Sequence, residues 1–382
     1  MPGTAGVAQI EWAGGQMPVL RSIRARFAAE QPLAGLKVGA CLHVTAETAN
    51  LVLALRDGGA QVAMCAANPY TLQRDVADAL GEGVHAGDYR EGLAAVAASE
   101  PDLVLDDGAE LIVATHERLR GATEETRSGL VHVRGLDLRC PVLAVNEADA
   151  ERALNDRFGT GQSALDGIIR ATHLLLAGQT IVVLGYGWTG RGIALRARGA
   201  GASVIVCEVD PLRALEARME GFDVLPALVA AERGDVFITV TGSRDVLRAE
   251  HFARMKDGAV LANAGHFDVE IAIADLGPEA TQVLPLVERY EQPDGRRLNL
   301  LARGQVVNLA AAQGHPAGVM DVSFALQALS AEWLAREELE PGVQAVPPAI
   351  DAEVARLKLE ALGVEIDELT PEQAAYLNRW RR

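Results

Sequence analysis

Aromatic residues make up 4% of the chain and cysteines number four: Cys41, Cys65, Cys140 and Cys207. None of these cysteines forms a CxxC pair, and no Cys/His cluster has zinc-finger spacing, so no metal site is expected. Isolated cysteines of this kind are expected as buried, reduced thiols of a cytoplasmic protein. Basic residues are also short, with 35 Lys and Arg against 52 Asp and Glu and a net charge of −17. No Lys/Arg-rich run or basic arm exists, which argues against nucleic acid as a partner. No apolar run reaches ~18 residues, so no transmembrane helix and no membrane partner is expected. The opening MPGTAGVAQIEW has no basic flank ahead of an apolar core and does not read as a signal peptide. What is present is 49% hydrophobic and 23% charged residues, a globular balance. At ~100–200 residues per domain, 382 residues make two or three domains. The 38 glycines of an Ala/Gly/Val-rich chain suit α/β layers.

Short apolar runs alternate with helix-like stretches from Lys37 onward. LKVGACLH, AQVAMCA, PDLVLDDG and PVLAV read as strands, and TAETANLVLALRDGG and the end of NPYTLQRDVADALGEG as helices. That alternation predicts a parallel, doubly wound sheet. A second unit begins near residue 160, with a helix over roughly 162–176 and strands at TIVVLG, SVIVCEVD, DVFITVTG and GAVLANAG. After 315 the pattern is helical, and a charged tail starts near 350.

Gly185-Tyr186-Gly187-Trp188-Thr189-Gly190 matches GxGxxG between an expected strand and helix, and Glu208 ends the next strand. Gly185 permits the turn, Gly187 lets backbone N–H groups reach a pyrophosphate, and Gly190 allows close helix–strand packing. The helix N-terminus adds partial positive charge. Glu208 is expected to accept from an adenosine ribose and to repel a 2′-phosphate, which favours NAD over NADP. Arg213 nearby keeps the second cofactor open. Thr241-Gly242 and Asn263-Ala264-Gly265-His266 are further loop candidates at the carboxyl ends of strands.

These segments together resemble the S-adenosylhomocysteine hydrolase family over nearly the whole chain. The resemblance rests on WAGGQMPVLRSI, ACLHVTAETANL, LVLDDGAEL, TEETRSG, DGIIRATHLLLAG, the glycine-loop segment, LANAGHFDVEI and VVNLAAAQGHPAGVMD. FGTGQSALDGIIRAT and GYGWTGRG are similar to the shorter archaeal and thermophile branch. The close on LTPEQAAYLNRWRR lacks the longer family tail whose Lys and Tyr reach a neighbouring subunit's NAD. The resemblance implies two Rossmann-like domains with a helical C-terminal tail. A substrate domain is expected over 1–158 and 316–350, an NAD domain over 159–315, and an oligomerisation tail over 351–382. It further implies a homotetramer built from dimers and an adenine nucleoside substrate. In the implied reaction NAD oxidises a 3′-hydroxyl, the C4′ proton is removed, the 5′ substituent leaves, water adds to the enone in the hydrolase, and the NADH formed reduces the ketone back.

Carried over residue by residue, His43 matches the catalytic histidine near C5′. Alone it would read as a core histidine. Asp107 matches the aspartate that works with it; alone, Asp106 and Asp107 read as turn or cap residues. Glu125 matches the glutamate on the sugar hydroxyls, against a plain reading as a solvated loop charge. Thr45, Glu47, His266, His315 and Met320 fall on the substrate pocket. Thr126, Arg127, Ser128, Thr241, Gly242, Ala264, Gly265 and Asn308 join Gly185, Gly187, Trp188, Thr189, Gly190, Glu208 and Arg213 on the cofactor side.

The sequence departs from the family in VNEADAERALNDRFGTG. Glu151 stands where the family has lysine, Asn155 where it has aspartate, and Asp156 where it has asparagine. A carboxylate in place of an ammonium repels the alkoxide that forms on 3′-oxidation. The family's three threonines become Thr126-Arg127-Ser128, and Arg127 is a candidate replacement cation. The departures lead first to a nucleoside dehydratase that keeps oxidation, elimination and reduction but expels water from a primary hydroxyl, giving an exocyclic alkene of the angustmycin type. Hydroxide leaves far less readily than a thiolate, with conjugate pKa values of about 15.7 and about 8.5, so a general acid such as His43 is indispensable to it. The alternative is a true S-adenosylhomocysteine hydrolase. A third reading is an inactive NAD-binding regulator.

Overall fold

The computed structural model describes residues 4–68, 71–265 and 267–379. Two sheets account for the strands. The first holds β1 (Lys37–Leu42), β2 (Gln61–Ala66), β3 (Val84–His85), β4 (Leu103–Asp106), β5 (Gly121–Glu124) and β6 (Pro141–Ala144). The second holds β7 (Thr180–Leu184), β8 (Ser203–Cys207), β9 (Asp223–Val224), β10 (Val236–Thr239), β11 (Val260–Asn263), β12 (Thr281–Leu284), β13 (Val287–Glu291) and β14 (Arg297–Leu301). The chain then returns to the first sheet through β15 (Gly342–Ala345), which pairs with β6 in parallel.

The first sheet runs β15-β6-β5-β4-β1-β2-β3 and every pairing in it is parallel. The second runs β12-β13-β14-β11-β10-β7-β8-β9. Its β12–β13–β14 edge is antiparallel, a meander absent from the sequence expectation of an all-parallel sheet. Both interiors are apolar on two faces, as helix-covered parallel sheets require. Val38, Ala40 and Leu42 of β1 face one core, and Cys41 the other. In β7, Ile181 and Val183 face one way and Val182 and Leu184 the other. All four cysteines are buried and free.

Two helices ahead of β1, Thr4–Gly15 and Pro18–Glu30, pack Ile10, Ile23 and Phe27 into the first core. A 20-residue helix, Ala317–Arg336 (hereafter the long helix), crosses the same core. The expected helix over 162–176 is corrected at both ends. A π-helical segment, Glu151–Gly159, leads into an α-helix over Thr160–Thr172, which stops where His173 turns left-handed at φ 57°. The expected break at 351 falls inside the helix Pro348–Ala361, whose Ile350 and Val354 are buried in the first core. Beyond it, Leu362, Val364, Ile366 and Leu369 are exposed.

Candidate active site

In each sheet the strand order reverses beside the first strand, between β1 and β4 and between β7 and β10. Ligands of open α/β sheets bind outside the carboxyl ends of strands at such switch points. His43 follows β1 and Asp107 follows β4, so the first switch point brings them together. His43 Nε2 lies 3.3 Å from Asp107 Oδ2. His43 Nδ1 lies 2.8 Å from Thr71 Oγ1, whose own hydrogen goes to the Asn68 carbonyl at 3.0 Å. Thr71 therefore accepts and His43 Nδ1 donates, which leaves Nε2 turned to Asp107. Both side chains keep partial access, 23% and 12% exposed, so the pair is reachable by a ligand.

The turn after β4 aims Asp107. Gly108 and Ala109 take positive φ of 104° and 69°. Asp106, fully buried, accepts from the N–H groups of Asp107 and Ile112. Asp106 is thus the cap of the turn, and Asp107 the residue that faces the cleft. Glu124, opposite Asp106 in register on β5, accepts from Gly108 N–H and from the N–H and hydroxyl of Thr126. Burial pushes the Asp106 carboxyl up to about 7 and Glu124 well above its ordinary range, each aided by its acidic neighbours.

Glu125, next along, is half-buried rather than a solvated loop charge, and accepts from Gln327 Nε2 at 2.5 Å. Burial raises it to about 7, with Asp107 adding to the rise. Thr126 caps the helix Arg127–Val133, and Ser128 donates to its hydroxyl at 3.2 Å. Arg127 is exposed; its charge bears on Asp156 and Glu147. The groups acting on Glu151 are instead Glu125, Ser323, Asp156 and Asn155. Thr45 caps the helix Ala46–Asp57, with Glu47 in its first turn.

The π-helical segment buries Glu151 and Asn155 together, and leaves Asp156 half-buried. Asn155 Nδ2 donates to Glu151 Oε1 and to Ser323 Oγ, each at 2.5 Å, and Ser323 donates to Glu151 Oε2 at 2.6 Å. Burial, with Glu125 close by, drives Glu151 well above the usual carboxyl range. Burial raises Asp156 to about 6. Met320 Sδ lies 3.9 Å from Asn155 Nδ2. His315 Nε2 meets Thr160 Oγ1 at 2.9 Å and Asn308 Nδ2 at 3.3 Å. Burial and the proximity of His43 push His315 down to about 4. His43 and His315 thus lie close enough for charge on one to act on the other.

The second switch point carries the glycine loop. Gly185 has φ 107°, and a Cβ at Gly190 would stand 2.0 Å from the Gly185 carbonyl oxygen. The helix Trp188–Gly199 begins at Gly187 with no side-chain cap, so its first N–H groups point outward unpaired by a cap. A Cβ at Gly187 would meet only Arg213 Nη1, at 3.7 Å, which places that guanidinium beside the loop. These features fit the pyrophosphate of a dinucleotide. Trp188 is exposed and Thr189 half-buried at the helix start. Glu208 accepts from the N–H groups of Tyr186, Val209 and Asp210, which fixes its carboxylate at the end of β8.

Glu270, outside the sequence reading, and Asn263, one of its loop candidates, organise the neighbouring loops. Buried Glu270 accepts from Thr241 N–H, Thr241 Oγ1 and Gly242 N–H, and leaves no room for a Cβ at Gly265. Asn263 bonds the Gly265 N–H and the carbonyls of Gly265, Phe267 and Gly304. Ala264 is buried beside them, and His266 lies outside the described residues. Gln327 and Ser323 were likewise missed; their signal is polar residues four apart in the apolar run MDVSFALQALSAEW. Among the described residues no cluster of three or more His, Cys, Asp or Glu is arranged for a metal ion, and no helix is long and apolar enough to cross a membrane.

Comparison with known proteins agrees with this geometry. Residues 156–314 match the family model for the S-adenosyl-L-homocysteine hydrolase NAD binding domain. An adenosylhomocysteinase of Aquifex aeolicus is 52% identical over 98% of this chain and 96% of its own length. An S-inosyl-L-homocysteine hydrolase of Methanopyrus kandleri is also 52% identical, over 98% of this chain and 95% of its own. Among solved structures, a dipicolinate synthase of Bacillus halodurans superposes with a TM-score of 0.54 over 80% of this chain and all of its own, at 15% identity, a likeness of fold. The cofactor is NAD, and the chain belongs to the adenosylhomocysteinase family.

Proposed function

We propose that this protein cleaves the C5′ substituent from a purine nucleoside, with S-adenosylhomocysteine or a close thioether as substrate. The observation that carries the reading is the 3.3 Å approach of His43 Nε2 to Asp107 Oδ2 at the first switch point. NAD supplies a reversible hydride acceptor for a sugar carbon, which makes the neighbouring C4′ proton acidic while the hydride is held. Gly185, Gly187, Gly190 and Glu208 hold it, with Arg213, Trp188, Thr189, the Thr241-Gly242 loop, Ala264, Gly265 and Asn308 around it. His43 gives its proton to the group leaving C5′, and Asp107 keeps that proton in place. Glu125 takes the sugar hydroxyls. His315, kept neutral, adds no positive charge to the same cleft and leaves His43 as its acid.

A second reading keeps this sequence of events and changes the leaving group to water from a primary hydroxyl. The buried Glu151–Asn155–Ser323 group favours it, because Glu151 stands where the family resemblance places a lysine. The curated relatives favour the thioether, and they carry both adenosyl and inosyl names, so the base is part of the test. The proposal takes 1–158 and 316–350 as the substrate half, 159–315 as the NAD half and 351–382 as an oligomerisation tail. A homotetramer is part of the proposal, supported by the exposed apolar residues from Leu362 to Leu369.

The test is mass spectrometry of the holoenzyme with S-adenosylhomocysteine, S-inosylhomocysteine, adenosine and a psicofuranosyl adenine. Homocysteine release from either thioether supports the hydrolase and names its base. Loss of water from the hydroxymethyl nucleoside without thiol release replaces it with the dehydratase. Bound NAD with no turnover of any of the four leaves a regulator.

A further inference from the structure

The long helix buries an amide where it crosses the first core. Gln327 is fully buried, with Ala325, Leu326, Ala328 and Leu329 of the same helix in that core. An amide in such a place is costly unless its oxygen and its nitrogen are both bonded. Here both are. Thr123 Oγ1, also fully buried, donates to Gln327 Oε1 at 2.5 Å. Gln327 Nε2 donates to Glu125 Oε2 at 2.5 Å. A hydroxyl has one hydrogen to give, and a carboxylate only accepts. The Thr123 hydrogen therefore fixes which end of the amide is oxygen, and the nitrogen is left for Glu125.

Thr123 lies within β5 and Glu125 just past its end, so one amide ties together two positions of the same strand end. Glu124, between them, bonds the turns instead, through Gly108 N–H and Thr126 N–H. Glu125 is half-buried, and its Oε1 has no hydrogen-bond partner among the described residues. The acids that face Glu125 are Asp107 from the end of β4 and Glu151 from the π-helical segment.

We propose that Gln327 is a positioning residue for Glu125: its amide, set by Thr123, pins Oε2 and turns Oε1 to the cleft. A flexible side chain is thereby given one direction before a ligand arrives. The donor also favours the carboxylate over the carboxylic acid, so that Oε1 accepts and does not donate. That Oε1 takes a sugar hydroxyl rests on the nucleoside reading above; the pinning of Oε2 does not.

The test is an infrared pH titration of the NAD-loaded enzyme grown with isotope-labelled glutamate. The band of Glu125 is the one that Glu125→Gln removes. Gln327→Met, of similar volume, takes away the donor and is expected to raise the proton affinity of Glu125 about tenfold, one pH unit. Thr123→Val leaves Gln327 in place but frees its amide to turn, and is expected to raise it about threefold. Thr123→Ser keeps the hydroxyl and is expected to keep the native midpoint. A merely structural role for Thr123 would lower the melting temperature without moving the titration of Glu125. An unmoved midpoint in Gln327→Met or in Thr123→Val, or a moved one in Thr123→Ser, overturns the proposal. Melting temperatures of the variants confirm that each is folded. A second arm measures adenosine affinity by calorimetry. Gln327→Met is expected to weaken it about tenfold in the native background and not at all in Glu125→Gln. A loss that persists in Glu125→Gln overturns the proposal. If adenosine does not bind, the nucleoside reading falls and the titration still decides the positioning of Glu125.

Discussion

The two sheets use their carboxyls in different ways. In the second, Glu208 and Glu270 each accept three hydrogen bonds, five of the six from backbone N–H groups, and serve as struts for loops. Around the first, Asp106, Glu124, Glu125, Glu151 and Asp156 crowd together, and all five are raised above the ordinary carboxyl range. Donors alone do not separate the two groups, since Glu124 also accepts three. Crowding does: burial plus like charge favours the protonated form. The half that matches the NAD binding domain model uses its carboxylates to hold loops, and the other gathers raised carboxyls near Asp107.

The comparison breaks most visibly at Gly190. Gly190→Ala forces a Cβ to 2.0 Å from a backbone oxygen, and NAD content measured after gel filtration is expected to fall at least tenfold. Retained NAD would mean the loop is not the cofactor's seat. The opposite half is tested by His43→Asn. Turnover is expected to fall about 10²–10⁴-fold, the usual weight of a general acid, with NAD content unchanged.

Glu151→Lys restores the charge that the family resemblance places there. It is expected to raise thiol release from S-adenosylhomocysteine several-fold if the native enzyme is slow on it, read by a thiol assay. An unchanged rate would detach Glu151 from the reacting sugar.

The pH response sharpens the comparison further. Asp106 and Glu125 at about 7 and Asp156 at about 6 lie above their unfolded values near ~4. Their contribution to stability is complete below pH ~4 and is lost as pH rises through 6–7. Asp257, paired with Arg297 in the second half, is held down at about 2; its smaller contribution is present above pH ~4 and lost as pH falls to 2. Hydrogen exchange corrected for intrinsic rates is expected to loosen β4 and β5 between pH 5 and 8, with little change at β14. The smallest effect is Thr45→Ala, which removes a helix cap and costs about 1 kcal/mol in a urea melt.

Much of this was legible in the chain. The glycine loop, Glu208, His43 and Asp107 stand at strand ends, where alternation and turn glycines mark the sequence clearly. The β12–β14 meander was not, because its strands are four or five residues long and mix polar with apolar side chains, without the longer apolar run of a central parallel strand. β15 was missed for the same reason: GVQA is four residues on the rim of the first sheet. The π-helical segment Glu151–Gly159 has no distinct period, and the helix expected from the sequence began only at 162. Ser323, Gln327 and Glu270 act through hydrogen bonds to residues far away in sequence, a pairing that spacing alone does not reveal.

The central claim is that these two halves together make the C4′ position of a bound nucleoside exchange its proton. The direct measurement is incubation of the holoenzyme with adenosine in D₂O, followed by NMR of the recovered nucleoside. The account predicts deuterium at C4′ for either leaving group. Adenosine that binds and returns without deuterium would contradict it.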